Sequence, residues 1–209
     1  MASILVLCTG NVCRSPIAEG FVRAALDARF GASAPIVTSS GTAGWEGSGA
    51  DPASVEAAAE RGVDISAHRA RRLTVRDLER ADLVLAMAGE HRDAVERISP
   101  GTAAKTFTLK ELVRLLESLP APVGGDPDAA LADRIREADA LRRGGFEGNP
   151  YDEDVADPLG MPLDAFRAIA WELDGWSERL VDGLFGADGL EPSPNGRREA
   201  HALPLTEID

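Results

Sequence analysis

Two side chains near the start of the chain have the types and spacing needed for covalent chemistry on an anion. Residues 8–16 read CTGNVCRSP, with a cysteine at position 8 and an arginine at position 14. A thiolate is a strong nucleophile. A guanidinium offers a planar fork that matches two oxygens of a phosphate-like group. We expect Cys8 to attack a tetrahedral oxyanion that Arg14 holds, in positive surroundings that favour the thiolate.

A strand and a helix must position this pair. The apolar run Ile4-Leu-Val-Leu7 predicts a buried strand before Cys8, and Pro16 suits the first turn of a helix. Between them Gly10 gives the backbone room, and Asn11 tolerates a left-handed conformation. Backbone N–H groups of the turn and the helix N-terminus then point at an anion. The alternative is a buried structural cysteine beside an unrelated arginine.

Strand and helix patterns alternate along the rest of the chain. The predicted strands are 3–7, 35–40, 83–86 and 104–107, and the predicted helices are 16–29, 52–61, 90–97, 109–118 and 163–185. This alternation predicts an α/β fold whose parallel sheet is covered on both faces. Ligands of such sheets bind beyond the carboxyl ends of the strands, which is where Cys8 falls.

At residues 8–16 the chain resembles the low-molecular-weight protein tyrosine phosphatases, because every fixed position of their signature CxxGNxCRSP is present. Residues 38–42 (TSSGT), with a tryptophan shortly after, and residues 62–71 are also similar to that family. The resemblance covers roughly residues 3–110 and 150–185. It implies a three-layer fold of the phosphotyrosine phosphatase I type, in which a four-stranded parallel sheet carries helices on both faces.

The resemblance also implies roles for single residues. In the family the cysteine attacks phosphorus, the arginine binds the equatorial oxygens, and an Asp-Pro pair near the C-terminus supplies the general acid. The matching pair here is Asp157-Pro158, with Asp152 and Asp154 as rival acids. The other residues of the phosphate-binding loop are Thr9, Gly10, Asn11, Val12, Cys13 and Ser15.

Four residues outside the loop complete the predicted site. By resemblance, Ser39 and His68 join the hydrogen-bond network that holds the loop. Trp45 forms an aromatic lip of the pocket, although a core tryptophan is the alternative. Leu159 follows Asp157-Pro158 at the lip, where family members often carry tyrosines. The preference for phosphotyrosine is therefore less firmly predicted than the phosphatase chemistry.

Cysteine usage and charge exclude several classes of protein. Cys8 and Cys13 are the two cysteines of the chain and lie in one loop, unlike the disulfide framework of a secreted protein. By resemblance they form a reversible disulfide that prevents over-oxidation; a small buried filler is the other interpretation of Cys13. A net charge of −13 argues against nucleic acid and anionic membranes as partners.

We expect a cytoplasmic protein that is a monomer or weak dimer and uses no metal or cofactor. No apolar stretch approaches the ~20 residues of a membrane span, and the first strand starts too close to Met1 to leave room for a signal peptide. The three histidines, His68, His91 and His201, lie far apart in the sequence. Positive charge for a phosphate comes instead from Arg14 and the loop.

The predicted activity is hydrolysis of phosphomonoesters through a phosphocysteine, on phosphotyrosine in proteins. Relatives that cleave phosphoarginine have threonine at the position of Val12, and the apolar side chain argues against that substrate. The runner-up is an arsenate reductase that uses an external small thiol, because the chain has no further cysteines for an internal relay. A third interpretation is a non-catalytic phosphate-binding module.

Two segments fall outside the alternating pattern. Residues 119–150 carry Pro- and Gly-rich ends around a charged helical stretch, 128–143. We interpret them as an inserted loop and surface helix, solvated rather than acting as a lid or partner surface, within a single domain of residues 1–186. Residues 187–209 are polar and rich in proline, which predicts a flexible tail.

Overall fold

Strands and helices alternate along the part of the chain that the computed structural model describes, residues 1–122, 126–146, 149 and 152–186. The strands are β1 (Ser3–Cys8), β2 (Ile36–Gly41), β3 (Leu83–Ala86) and β4 (Thr106–Thr108). The helices are α1 (Arg14–Phe30), α2 (Pro52–Ala59), α3 (Val75–Arg80), α4 (Gly89–Ile98), α5 (Leu109–Glu117), α6 (Pro127–Arg143) and α7 (Leu163–Phe185).

The four strands form one parallel sheet in the order β2-β1-β3-β4. β1 is a central strand because its apolar run supplies both faces of the sheet. Ile4 and Val6 pack into the larger apolar core, whereas Leu5 and Leu7 pack into a smaller one on the opposite face. The predicted α/β sheet with helices on both faces is confirmed, and Cys8 lies at the carboxyl end of a central strand.

The helices are divided between the two faces. The larger core contains residues of α1, α2, α5, α6 and α7, and the smaller one contains Leu78 of α3 and Val95 of α4. α1 packs against α7, α2 and the strands β1 and β2. This packing fixes the start of α1 relative to β1. The loop between β1 and α1 is therefore held at both ends by buried elements. No helix among the described residues has the length and apolarity required to cross a membrane.

Two short elements differ from the sequence prediction. The predicted strand over 104–107 begins only at Thr106, because residues Pro100–Lys105 form a 3₁₀ helix before it. α3 was not predicted, although Thr74 and Asp77 form a capping box at its start. The same capping box occurs at the start of α5. Thr108 Oγ1 accepts a hydrogen bond from the Glu111 amide at 3.1 Å, and the Glu111 carboxylate accepts one from the Thr108 amide.

The charged stretch before the Asp157 segment forms α6, but it is not merely a solvated helix. Its apolar face packs against α5 and α7, and Leu131, Ile135 and Ala138 are buried in the larger core. Arg134 is also buried and donates to three carbonyl groups, those of Leu116, Pro120 and Gly183. The interpretation of α6 as solvated is therefore wrong for this face. The predicted tail, 187–209, lies outside the described residues.

Candidate active site

The loop between β1 and α1 turns its carbonyl groups away from the site. Each of these carbonyl groups accepts a hydrogen bond from a neighbouring segment. The bonds are Thr42 N to Cys8 O (2.9 Å), Ala43 N to Thr9 O (3.0 Å), Trp45 N to Gly10 O (3.0 Å), His68 Nε2 to Asn11 O (2.8 Å) and Asp51 N to Val12 O (2.8 Å). In a trans peptide the C=O and the following N–H point in opposite directions. The N–H groups of residues 9–13 therefore point inward and form a concave anion cradle.

The Cys8 sulfur lies at the floor of this cradle and accepts two hydrogen bonds. The Asn11 amide donates to it at 3.3 Å, and the Ser15 hydroxyl lies 2.9 Å away. Asn11 Nδ2 donates to Ser15 Oγ at 2.9 Å, which leaves the hydrogen of that hydroxyl free to donate to the sulfur. Hydrogen bonds to a charged group favour its charged form. This arrangement stabilises a thiolate.

Asn11 fixes the shape of the loop through both its backbone and its side chain. It has a left-handed backbone with φ of 57°, the one non-glycine residue of the described chain with a positive φ. Its Nδ2 also donates to Ser39 Oγ at 2.8 Å, and its Oδ1 accepts from the Arg71 amide at 2.8 Å. The left-handed residue of the loop is Asn11, whereas Gly10 has no positive φ and a Cβ there would meet Val12 and Trp45 only at van der Waals distances of 3.4 Å or more.

The network continues behind the loop to a carboxylate. Ser39 Oγ donates to Glu19 Oε2 at 2.5 Å, and His68 Nδ1 lies 3.9 Å from the same oxygen. Ser39 and His68, the two residues expected by resemblance to hold the loop, both contact Asn11. Glu19 was missed, although its spacing from Ser15 puts the two on one face of α1.

β2 must end in a glycine to let the loop pass. A Cβ on Gly41 would lie 2.4 Å from the Thr9 carbonyl oxygen and 3.0 Å from the Asn11 amide nitrogen. Any side chain here would push the anion cradle out of position. Gly41 belongs to residues 38–42, which are similar to the family. The spacing of residues in the sequence does not show its close approach to the loop.

Arg14 connects the loop to the segment that carries the predicted acid. Its side chain is 4% exposed. Nη1 donates to the Val155 carbonyl at 3.1 Å and Nη2 donates to Asp157 Oδ2 at 2.7 Å. The other oxygen of Asp157 accepts from the Leu159 amide at 3.1 Å, which fixes this half-exposed carboxylate beside the buried guanidinium. The backbone contact to Val155 had no sequence signal.

The rival acids are engaged away from the loop. Asp152 pairs with Lys110 at 2.9 Å and with Arg114 at 2.7 Å. Asp154 accepts from the amide of Gly89, at the start of α4, at 2.7 Å. Lys110 Nζ also donates to the Asp154 carbonyl at 2.9 Å. These contacts anchor the acid-bearing segment to α5 and α4 and leave Asp157 as the carboxylate that contacts Arg14.

The rim of the site is apolar and exposed. Trp45 is 51% exposed, and its ring lies over Gly10, where an added Cβ would be 3.5 Å from it. Leu159 is 43% exposed, and Met161 is another exposed apolar side chain two residues on. Trp45 is therefore not a core residue. The sequence offers Tyr151 or the 119–150 segment as a second aromatic wall in place of the tyrosines that family members often carry after Asp157-Pro158, and Tyr151 lies outside the described residues.

Cys13 is a buried thiol at the start of α1. Both cysteines are free in the structure. Burial raises the pKa of the Cys13 thiol to about 12, and the nearby Asp51 and Asp157 charges act in the same direction. Cys13 is therefore a neutral thiol at neutral pH. Its disulfide with Cys8 stays a prediction. No group of three or more potential metal ligands occurs among the described residues.

Comparison with known proteins gives one consistent result. A family model described as low molecular weight phosphotyrosine protein phosphatase matches residues 3–138. The probable low molecular weight protein-tyrosine-phosphatase EpsP of Ralstonia solanacearum is 42% identical over 110 residues, which are 53% of this chain and 72% of that protein. A protein-arginine-phosphatase of Geobacillus stearothermophilus is 32% identical over 181 residues, 87% of this chain and 95% of that protein.

A solved structure agrees with these sequence matches. The low molecular weight protein tyrosine phosphatase from T. tengcongensis superposes with a TM-score of 0.65 at 36% identity, and the match covers 87% of this chain and 99% of that one. The family model spans more than half of the sequence and includes the whole anion cradle. The chain belongs to the low-molecular-weight protein tyrosine phosphatase family.

Proposed function

We propose that this chain hydrolyses phosphomonoesters through a phosphocysteine on Cys8, with phosphotyrosine in proteins as its substrate. The observation that carries the proposal is the floor of the cradle. The Cys8 sulfur accepts hydrogen bonds there, inward N–H groups surround it, and Arg14 lies beside the Asp157 carboxylate. A nucleophile, an anion site and an acid thus converge on one loop.

In the first step the Cys8 thiolate attacks phosphorus in line with the leaving oxygen. The inward N–H groups and Arg14 stabilise charge on the equatorial oxygens, where positioning and electrostatics supply most of the acceleration. Asp157, protonated, donates its proton to the leaving oxygen as the phosphorus–oxygen bond breaks. The products of this step are the free alcohol and a phosphocysteine.

In the second step water hydrolyses the phosphocysteine. Asp157, now ionised, takes a proton from the attacking water. The phosphorus–sulfur bond breaks, so inorganic phosphate leaves and the Cys8 thiolate is restored. Arg14 and the loop already supply the positive charge that a phosphate requires, so we propose that the reaction runs without a metal.

The rim supports phosphotyrosine over smaller phosphomonoesters. The exposed ring of Trp45 lies over Gly10 of the cradle and gives a flat surface for an aryl group. Val12 offers no polar side chain for a guanidinium, which argues against phosphoarginine. Because one relative is a protein-arginine-phosphatase, phosphotyrosine and phosphoarginine should be compared directly as substrates.

The alternatives need features that the chain does not offer. An arsenate reductase must reduce bound arsenate with electrons from thiols, and Cys13 is buried and neutral while no third cysteine exists in the sequence. Only an external thiol remains for that chemistry. A non-catalytic module has no use for a carboxylate fixed beside Arg14.

The test is a substrate panel with a matched nucleophile variant. Phosphotyrosine, phosphoserine and phosphoarginine peptides are assayed in metal-chelating buffer, alongside arsenate with a small thiol. We expect phosphotyrosine to turn over fastest and Cys8→Ser to abolish turnover while inorganic phosphate still binds. Full activity in Cys8→Ser overturns the mechanism, faster phosphoarginine turnover overturns the substrate, and faster arsenate reduction favours the runner-up.

A second comparison assigns the acid. Asp157→Ala is expected to lower kcat on a phosphotyrosine peptide by about 100-fold or more, with phosphate affinity changed little. Asp164→Ala, an exposed aspartate on the first turn of α7, is the matched control. If Asp154→Ala gives the large loss and Asp157→Ala does not, the assignment of the acid is wrong.

A further inference from the structure

A buried histidine contacts the phosphate-binding loop from the opposite side to His68. His91 lies on the first turn of α4 and is 1% exposed. Its Nε2 is 3.0 Å from Thr9 Oγ1 and 3.4 Å from Glu90 Oε1. Thr9 directly follows Cys8 and is exposed. The mechanism above assigns no role to His91.

The partners of the ring decide which nitrogen carries the hydrogen. The Glu90 carboxylate lies 3.4 Å from Nε2, and its negative charge favours a hydrogen on the nitrogen that faces it. Nδ1 has no partner within hydrogen-bonding distance among the described residues, and it is less costly to bury a lone pair there than an N–H group. The structure therefore favours a ring with its hydrogen on Nε2.

The ring is neutral at neutral pH. Burial lowers the pKa of His91 to about 4, and the Arg14 charge acts in the same direction. Three carboxylates, those of Glu90, Asp154 and Asp157, act in the opposite direction without outweighing burial. A neutral ring with one hydrogen, on Nε2, cannot accept from Thr9 at that nitrogen.

The Thr9 hydroxyl must then accept from His91, which leaves its own hydrogen free. We propose that His91 is a positioning residue that turns the Thr9 hydroxyl into a donor toward the phosphoryl group bound over Cys8. The inference rests on the proposed function, since it adds one side-chain donor to the backbone cradle. It also explains why a buried imidazole is kept beside a guanidinium that disfavours its charged form.

The test is a double-mutant cycle on Thr9 and His91. Thr9→Val removes the hydroxyl at constant shape, and His91→Phe removes the ring donor. Each single change is expected to lower kcat/KM on an aryl phosphate by about tenfold, the effect of one hydrogen bond. The double variant is expected to lose no more than either single variant, because both remove the same interaction.

Two conservative variants separate positioning from simple packing. Thr9→Ser keeps the hydroxyl and His91→Gln keeps an N–H donor near the position of Nε2, so both are expected to recover most of the loss. Circular dichroism melts identify any variant that fails to fold. Additive losses in the cycle, or no recovery with His91→Gln in a folded protein, overturn the inference.

Binding of inorganic phosphate gives a readout that does not depend on turnover. Calorimetry on the same four proteins is expected to show weaker phosphate binding in each single variant, again without further loss in the double variant. If the wild type binds phosphate with this coupling but hydrolyses nothing, the proposed function fails and the role of His91 stands. If Cys8-dependent hydrolysis is present and the coupling is absent, only the role of His91 fails.

Discussion

Asn11 at the floor of the loop is completely buried, whereas Trp45 at its rim is 51% exposed, although the amide of Trp45 bonds the residue next to Asn11. The side chain of Asn11 makes three hydrogen bonds, to Ser15, Ser39 and the Arg71 amide. Trp45 is held mainly through its backbone. Floor and rim are thus adjacent in space but differ in how far their side chains are constrained.

This difference separates the reaction from the choice of substrate. The buried side-chain atoms of Asn11 all have partners, and such a network tolerates one arrangement, so it can hold the nucleophile within hydrogen-bonding geometry. An exposed apolar side chain can be exchanged with little effect on folding. We therefore expect changes at the floor to affect stability and turnover together, and changes at the rim to affect substrate affinity alone.

The largest effect is expected from Asn11→Ala. The change leaves the Arg71 amide without its acceptor, removes the donor to Ser15 and Ser39, and puts an alanine in a left-handed conformation. We expect a loss of about 3 kcal/mol in the free energy of unfolding and about 100-fold in kcat. Urea unfolding measures the loss of stability, and steady-state kinetics measures the loss of kcat. A destabilised variant with normal kcat would show that turnover does not depend on the network around Asn11.

The next effect concerns acid stability. Because the pKa of His91 is about 4 in the folded protein and ~6.5 in the unfolded chain, the unfolded chain binds protons more readily below pH 6.5. Stability is therefore lost as pH falls from 6.5 toward 4, by about 2 kcal/mol at pH 5.

Urea unfolding at pH 7 and pH 5 measures this loss. In His91→Gln the decrease between the two pH values is expected to be smaller than in the wild type by that amount, whatever the stability of the variant at pH 7. An unchanged decrease would show that His91 does not titrate in this way.

A smaller effect is expected from Trp45→Ala at the rim. Loss of an aromatic contact costs about 1 kcal/mol, which raises KM for a phosphotyrosine peptide about fivefold. KM for a small alkyl phosphate and the free energy of unfolding are expected to change little. Trp171→Ala on α7, where the tryptophan is exposed to a similar extent, is the control. A matched loss on the alkyl phosphate would contradict a stacking role.

The smallest effect is expected from Leu159→Tyr, which restores the residue type that family members often carry. A second aromatic surface at the rim should lower KM for phosphotyrosine two- to threefold, about 0.5 kcal/mol. Phosphoserine peptides serve as the control in the same assay. An equal decrease in KM for phosphotyrosine and phosphoserine peptides would mean that the side chain at position 159 does not discriminate between the two substrates.

The arrangement of the floor could be predicted because it is local in the sequence. The floor residues lie within eight positions, where β1 ends and α1 begins, and their types and spacing predict a loop around an anion: Cys8, Asn11, Arg14 and Ser15. The alternation of apolar runs likewise gave the four parallel strands and most helices. Amphipathic stretches such as α5 and α7 carry a periodic signal of this kind.

The rest depends on long-range contacts that have no sequence signal. The Val155 carbonyl on Arg14 and the Gly89 amide on Asp154 are backbone contacts between distant segments. The buried face of α6 was misinterpreted because charged residues surround its few apolar positions, and a lone His91 gives no pattern at all. Tertiary packing decides these features, and composition or periodicity does not reveal them.

The central claim is that the loop carries out the reaction on Cys8. The Asp157→Ala variant is mixed with an aryl phosphate whose leaving group needs no proton. It should still form the phosphocysteine but should hydrolyse that intermediate slowly. Mass spectrometry after a rapid acid quench is expected to find one phosphoryl group on the peptide that contains Cys8, and none in Asp157→Ala combined with Cys8→Ser. A phosphoryl group on another residue, or continued turnover without Cys8, would contradict the account.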